Sequence, residues 1–97
     1  MFVVITVEFK SDLVYIPDSL QEPPQKMQRK FTKWIHDKSI DHEYWVYKDG
    51  RKYGVSFNID AFIKWLNENA FLNSSDKVKI VEENISSIPK ELIRLYF

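Results

Sequence analysis

Residue types that could bind a metal ion or transfer a proton are concentrated in the short stretch between His36 and Glu43. The stretch contains two histidines and three acids, which are His36, Asp37, Asp41, His42 and Glu43. Imidazole and carboxylate groups are common metal ligands, and histidine exchanges protons near neutral pH. Their spacing matches no metal-binding pattern, however, and a histidine near the end of a helix is stabilised by the helix dipole. We therefore assign neither a metal ligand nor a catalytic residue to this stretch.

Composition excludes several other chemistries. The chain contains no cysteine, so disulfides, thiol catalysis and cysteine-based zinc sites are excluded. It also lacks a glycine-rich phosphate-binding loop, a paired-carboxylate site and a nucleophile with its base. The sequence therefore favours a protein that is not an enzyme, and it implies no cofactor.

The basic residues of one predicted helix offer a different chemistry, which is the binding of nucleic-acid phosphates. They recur without an intervening acid, at Lys26, Arg29, Lys30 and Lys33. The whole chain has 14 basic and 14 acidic residues, whereas nucleic-acid-binding proteins usually carry excess positive charge. A solvated helix face is the commoner explanation of such a pattern, so nucleic-acid binding is kept as the alternative hypothesis.

A predicted β-hairpin contains the third candidate site. Asp49-Gly50 lies between two aromatic-rich runs, a pattern that predicts a two-residue type I′ turn. The predicted cross-strand pairs are Lys48 with Arg51, Tyr47 with Lys52, Val46 with Tyr53 and Trp45 with Gly54. Because side chains alternate along a strand, the predicted buried face carries Tyr44, Val46, Tyr53, Val55 and Phe57. The predicted exposed face carries Glu43, Trp45, Tyr47, Lys52, Gly54 and Ser56.

The exposed face of this hairpin is the predicted binding site for another protein. Tryptophan, tyrosine and arginine contribute most to the energetics of protein interfaces, and the predicted contact residues are Glu43, Trp45, Tyr47 and Lys52. If Trp45 lies on this surface, Trp45→Ala should weaken partner binding by about 2 kcal/mol or more and leave folding intact.

Part of the hairpin, Arg51-Lys52-Tyr53-Gly54-Val55-Ser56-Phe57, resembles the third-strand motif of RNA-recognition domains. Lys52 stands where that motif has glycine, and the motif's stacking aromatic side chains face away from the helices. In the predicted register Tyr53 and Phe57 face the core instead. We therefore interpret these two aromatic residues as core residues.

The elements that position these residues follow from the hydrophobic pattern. Residues 2–9 are almost entirely apolar, which predicts a central strand covered on both faces. Leu13–Ile16 is either a short strand that pairs with it or a hydrophobic loop. The other predicted elements are a helix at 23–38 with apolar positions Met27, Phe31, Trp34 and Ile35, the hairpin, a helix capped by Asn58 or Asp60, a strand at 77–83, and a last helix from Ser86 or Ser87 to Tyr96.

The order β-α-β-β-α-β with an added C-terminal helix predicts one α+β domain over residues 1–97. Its expected topology is the ferredoxin-like split βαβ arrangement with an antiparallel sheet. The topology changes if Leu13–Ile16 pairs with the first strand. The last helix, a partner or a second copy should cover the free sheet face. Glu8 lies where some small ferredoxin-like nucleases hold a metal ion, so a metal-dependent nuclease is a third hypothesis. It is the weakest of the three, because it depends on a resemblance between folds.

The main hypothesis is a small non-enzymatic protein-binding module. A bacterial immunity protein that inhibits a toxin is one such protein, and self-association is another use of the same surface. Glu8 and Lys10 interrupt the N-terminal apolar run too early for a signal peptide, and no run is long enough to span a membrane. These features predict a soluble, cytoplasmic protein that does not act at a membrane.

Overall fold

Six strands and two helices make up the chain, and the computed structural model describes all 97 residues. In chain order the elements are β1 (Phe2–Val7), β2 (Lys10–Tyr15), α1 (Pro24–Ile35), β3 (Trp45–Lys48), β4 (Arg51–Val55), α2 (Ile59–Asn69), β5 (Lys79–Glu82) and β6 (Ile93–Tyr96). The predicted α+β class is confirmed. Neither helix has the length and apolar character that crossing a membrane requires.

Four of the strands form one mixed sheet in the order β5-β2-β1-β6. β1 is antiparallel to β2 and parallel to β6, and β2 is antiparallel to β5. The prediction that the first strand is central is confirmed, because Val3, Val4 and Ile5 are completely buried between two neighbouring strands. β3 and β4 form a separate sheet, so the ferredoxin-like order and the purely antiparallel sheet are not confirmed.

The position of β2 explains much of this difference. β2 pairs with β1 along its whole length, from Phe2 with Tyr15 to Val7 with Lys10. The turn between them is therefore Glu8-Phe9, where Glu8 adopts the left-handed conformation (φ 58°). Of the two alternatives for Leu13–Ile16, pairing with the first strand is the one observed. β2 takes the place beside β1 that was predicted for the strand at 77–83, and that strand, β5, pairs with β2 instead.

The predicted C-terminal helix is wrong, because Ile93–Tyr96 forms β6. Over these four residues apolar and polar side chains alternate, and Leu95, which lies beside Ile5 in the parallel pair, is buried. Alternation over so few residues is also compatible with one turn of an amphipathic helix. Pairing with β1 therefore decides the conformation, and it is a contact distant in sequence.

The long connection from β5 to β6 is held against β2 by hydrogen bonds. It must cross β2 and β1 to join strands at the two edges of the sheet. Its backbone is fixed to β2, since Ile85 N–H donates to the Ser11 carbonyl (2.8 Å) and Asn84 N–H donates to the buried Asp12 carboxylate (2.7 Å). Three half-buried apolar residues belong to this connection, namely Ile85, Ile88 and Leu92. Val4 points to the face opposite that of Val3 and Ile5, which pack with the helices, and it is completely buried there, so residues outside the helices cover this face.

The helices pack on the other face and surround Phe31 with aromatic rings. The predicted stripe of α1 is buried at Met27, Phe31 and Ile35. α2 begins at the predicted cap Asn58, whose side chain accepts a hydrogen bond from the backbone of Asp60 (3.0 Å). Five rings lie 5.3–5.9 Å from Phe31 between centroids, those of Trp34, Phe57, Phe62, Trp65 and Phe97.

Candidate functional site

The β3–β4 hairpin has the predicted turn but a different register at its base. Asp49 and Gly50 both have positive φ (53° and 75°), as a type I′ turn requires. The pairs Lys48 with Arg51 and Tyr47 with Lys52 are confirmed. Between Val46 and Tyr47 the register shifts, so that Val46 pairs with Gly54 and Trp45 pairs with Val55. Tyr53 is the extra residue of a β-bulge.

The bulge reverses the predicted faces at the base of the hairpin. Trp45, predicted to be exposed, is only 8% exposed, whereas Val46 and Tyr53, predicted to be buried, are 43% and 71% exposed. One extra residue allows Trp45 and Val55 to point inward together, which a regular hairpin does not permit. The assignment of Trp45 to the solvent side and of Tyr53 to the core was therefore wrong.

Trp45 attaches the base of the hairpin to the rest of the protein. Its indole N–H donates to the Ile40 carbonyl (2.7 Å), and its ring stacks on His42 at 4.8 Å with an interplanar angle of 6°. Trp34 lies against the same imidazole at 4.8 Å between centroids. The series Trp34, His42, Trp45 therefore joins α1 to β3 through packed rings.

His42 is held in this arrangement by hydrogen bonds at both ring nitrogens. Its Nδ1 accepts a hydrogen bond from the Tyr44 backbone N–H (3.1 Å), and its Nε2 lies 2.7 Å from the Ile35 carbonyl. Nδ1 thus accepts from the backbone, and Nε2 is placed to donate to a carbonyl.

The other members of the His36–Glu43 stretch also have local partners. His36 Nδ1 lies 2.9 Å from the Thr32 carbonyl, and Asp37 accepts hydrogen bonds from the backbone and hydroxyl of Ser39. No group of three or more His, Asp or Glu side chains is arranged to hold a metal ion. Glu8 lies exposed in the β1–β2 turn. Neither Glu8 nor the His36–Glu43 stretch thus belongs to a group of three or more metal-ligand side chains.

Lys52 holds the hairpin to the segment that precedes it. Its ammonium group donates to the carbonyls of Lys38 (2.6 Å) and Ile40 (3.2 Å) and pairs with the Asp41 carboxylate. It also lies 5.3 Å from the centre of the Trp45 ring. Only 16% of its side chain is exposed, so this predicted contact residue is mostly engaged within the chain.

The pair between Lys52 and Asp41 should give folding stability a specific acid dependence. The hydrogen bond and positive charge of Lys52 hold the pKa of Asp41 below its usual value. Asp41 has a lower pKa in the folded state than in the unfolded state, so the ion pair contributes its full stabilisation above the unfolded-state pKa of about 4. This contribution is lost as the pH falls through the folded-state pKa. Asp41→Asn should therefore lower the urea midpoint at about pH 6.5, and the difference from the native protein should narrow at about pH 3.

Asp49→Asn is the matched control for this experiment. Asp49 forms no ion pair, and asparagine also tolerates its positive φ. Its urea midpoint should follow that of the native protein at both pH values. A difference between Asp41→Asn and the native protein that stays the same size at both pH values would contradict the role given to this ion pair.

The exposed residues on both sides of the hairpin near its turn are aromatic, apolar or basic, and we call them the tip surface, defined as Val46, Tyr47, Lys48, Arg51 and Tyr53. Tyr47 is 56% exposed, and the Lys48 ammonium group lies 5.3 Å from the centre of the Tyr53 ring. An open depression of about 510 Å³ adjoins it, lined by Lys38, Lys48, Asp49, Arg51, Lys52 and Tyr53. Cations outnumber acids there by four to one.

The remaining predicted site residues lie elsewhere. Glu43 is exposed and pairs with Lys64 on α2 (3.1 Å). On α1, Lys26 and Lys30 both pair with Glu22, so half of the predicted basic face is neutralised.

The other half of that basic face, Arg29 and Lys33, is exposed and forms no ion pair.

Of the four predicted protein-contact residues, only Tyr47 belongs to the tip surface. Whether any of them contacts a partner stays a prediction. The tip-surface residues that were not predicted as contact residues, chiefly Tyr53 and Arg51, follow the predicted Asp49-Gly50 turn.

No protein-family model, no curated protein and no solved structure matches the chain. A functional assignment therefore depends on the geometry and charge of its own surfaces.

Proposed function

We propose that the protein is a small non-enzymatic module that binds another protein through the tip surface of its hairpin. The observation that carries this proposal is the exposure of Val46, Tyr47 and Tyr53, at 43%, 56% and 71%, on a sheet of only two strands. The rings of Trp45 and His42 and the ammonium group of Lys52 attach the base, while the tip extends from the body without strand neighbours.

Two properties of the tip surface suit it to protein recognition. Tryptophan, tyrosine and arginine are the residue types that most often dominate binding energy, and here Tyr47, Arg51 and Tyr53 all lie within three residues of the Asp49-Gly50 turn. Each strand of the hairpin also has one edge without a strand partner. Such an edge can add a strand from a partner or from a second copy of the chain.

The charge of the tip surface indicates the kind of partner. Lys38, Lys48 and Arg51 form no ion pair, and the net charge of the chain is zero, so this positive charge is local. A complementary acidic patch would speed association and fix orientation. We therefore propose an acidic partner protein. Inhibition of a bacterial toxin by an immunity protein is a function of this kind.

The test compares two tyrosines of equal exposure. Tyr47 on the hairpin and Tyr96 on β6 are 56% and 57% exposed. A partner recovered from host lysate with the native protein should bind Tyr47→Ala and Tyr53→Ala at least about tenfold more weakly, and Tyr96→Ala with unchanged affinity. Unchanged binding by both hairpin variants, or loss of binding only in Tyr96→Ala, would contradict the proposed site.

A second candidate function, binding of single-stranded nucleic acid, is favoured by the position of Tyr53. Its exposed ring lies among Lys38, Lys48 and Arg51, and aromatic rings among cations bind single strands by stacking and charge neutralisation. Fluorescence anisotropy with single-stranded RNA and duplex DNA at about 50 and 200 mM salt separates the candidates. Binding that collapses at the higher salt and is lost in Tyr53→Ala would favour nucleic acid, whereas no binding at either salt favours the protein partner.

A further inference from the structure

A second depression, of about 270 Å³, lies at the base of the hairpin between the two helices and the residues that precede β3. Three aromatic rings line it, those of Trp34 on α1, Tyr44 before β3 and Trp65 on α2. The ring of His42 and three charged residues, Glu43, Lys64 and Glu68, line it as well. No residue of the tip surface takes part, so this site is independent of the function proposed above.

The aromatic walls are held in place by the core. Trp34 and Trp65 both pack on the buried ring of Phe31, at 5.9 and 5.7 Å between centroids. Tyr44 packs on His42 at 5.6 Å, and His42 is fixed by hydrogen bonds at both ring nitrogens. The site therefore exists before a ligand binds, which lowers the entropic penalty of binding.

The depression combines these apolar walls with a negative charge. Glu43 pairs with Lys64 (3.1 Å), while Glu68 forms no ion pair. Two carboxylates and one ammonium group leave one negative charge uncompensated. Burial, followed by the carboxylates of Glu43, Glu68 and Asp60, raises the pKa of Tyr44 to about 12. The field of several acids thus reaches the hydroxyl group that lines the site.

We propose that this depression binds an alkylated ammonium group, such as the trimethylammonium group of choline or of a methylated lysine side chain. Aromatic rings attract a cation through their negative faces, and methyl groups on nitrogen make the cation apolar enough to enter a ring-lined site. Glu68 supplies the opposite charge. The volume is below the roughly 300–1,000 Å³ of sites for drug-sized ligands, so it suits one small head group.

Other ligand classes fit the depression less well. The negative charge repels an anion, and no three oxygen or nitrogen ligands are grouped to hold a metal ion. A neutral apolar molecule would gain nothing from Glu68. The carboxylate and the rings act together only on a cation with an apolar surface.

The test uses the three tryptophan indole N–H signals in proton–nitrogen NMR spectra during titration with choline and with N-acetyl-trimethyllysine amide. The signals of Trp34 and Trp65 should shift, whereas that of Trp45, whose N–H is bonded to Ile40, should not. We expect saturation below about 20 mM ligand. The neutral choline isostere 3,3-dimethylbutanol should bind at least about tenfold more weakly, because it lacks the charge.

Variants of two acidic residues distinguish binding in the depression from non-specific attraction of the cation to the protein. Glu68→Gln should weaken choline binding about threefold or more. Glu82→Gln, which removes an exposed acid on the distant strand β5, should leave binding unchanged. Tighter binding of the trimethyllysine compound would identify a protein side chain as the source, and tighter binding of choline would identify a small metabolite. Equal binding of the neutral isostere, no shift at about 20 mM ligand, or unchanged affinity in Glu68→Gln would overturn the proposal.

Discussion

Trp45→Ala should lower the free energy of unfolding by about 3–5 kcal/mol, because the variant removes a buried ring and leaves a cavity at the base of the hairpin. The indole is 8% exposed, stacks on His42 and donates a hydrogen bond to Ile40. Its removal also leaves the Ile40 carbonyl with only the longer hydrogen bond from Lys52 (3.2 Å). This expectation reverses the one drawn from the sequence, in which the variant folds normally and loses only partner binding.

Two further variants divide the contribution of Trp45 into its parts. Trp45→Phe keeps an aromatic ring beside His42 but removes the indole N–H, so it should cost less than the alanine variant. Tyr47→Ala changes an exposed ring on the same strand and should shift stability by no more than about 0.5 kcal/mol. Urea unfolding followed by circular dichroism measures all three. A loss below about 1 kcal/mol in Trp45→Ala would show that the ring does not attach the hairpin.

The stability effect also decides how partner binding must be tested. If the base of the hairpin loosens in Trp45→Ala, the tip surface moves with it, and weaker binding would follow without any direct contact. Tyr47 and Tyr53 are free of this ambiguity, because their rings are 56% and 71% exposed. Binding data on these two residues therefore bear directly on the proposed function.

Local signals in the sequence predict those parts of the fold that depend on neighbouring residues. The Asp49-Gly50 turn, the apolar stripe of α1 and the Asn58 cap each depend on a few adjacent residues, and all are present. The Glu8-Phe9 turn has no such signal, since neither glycine nor asparagine occupies the position with positive φ. β2 therefore remained an open alternative.

The parts that failed depend on contacts between distant residues. β6 is decided by pairing with β1, some 90 residues earlier in the chain. The bulge at Tyr53 depends on the site that His42 and Ile40 provide for Trp45. Because a one-residue shift exchanges the two faces of a strand, this single bulge also decides which aromatic residues a partner can reach.

Phe31→Ala should be at least as destabilising, at about 3–5 kcal/mol. The ring is completely buried and contacts Trp34, Phe62 and Trp65 on the two helices. It also contacts Phe57, which follows β4, and Phe97, which follows β6. No other aromatic ring has as many ring neighbours, so its removal takes support from rings on both helices at once. A domain of this size has a total stability of roughly 5–15 kcal/mol, and the variant should therefore be close to unfolding.

Phe9→Ala is the matched control, because the same substitution removes a ring that is fully exposed in the β1–β2 turn (103%). Its urea midpoint should remain within about 0.5 kcal/mol of the native value. Equal effects of the two substitutions would contradict the central position of Phe31.

Phe31→Leu links this core residue to the depression that we propose binds an alkylated ammonium group. The smaller side chain should preserve the fold but release Trp34 and Trp65 from their shared support. The proposed binding of choline should then weaken. The proposed binding of a partner protein by the tip surface should not change, because no ring of the tip surface packs on Phe31.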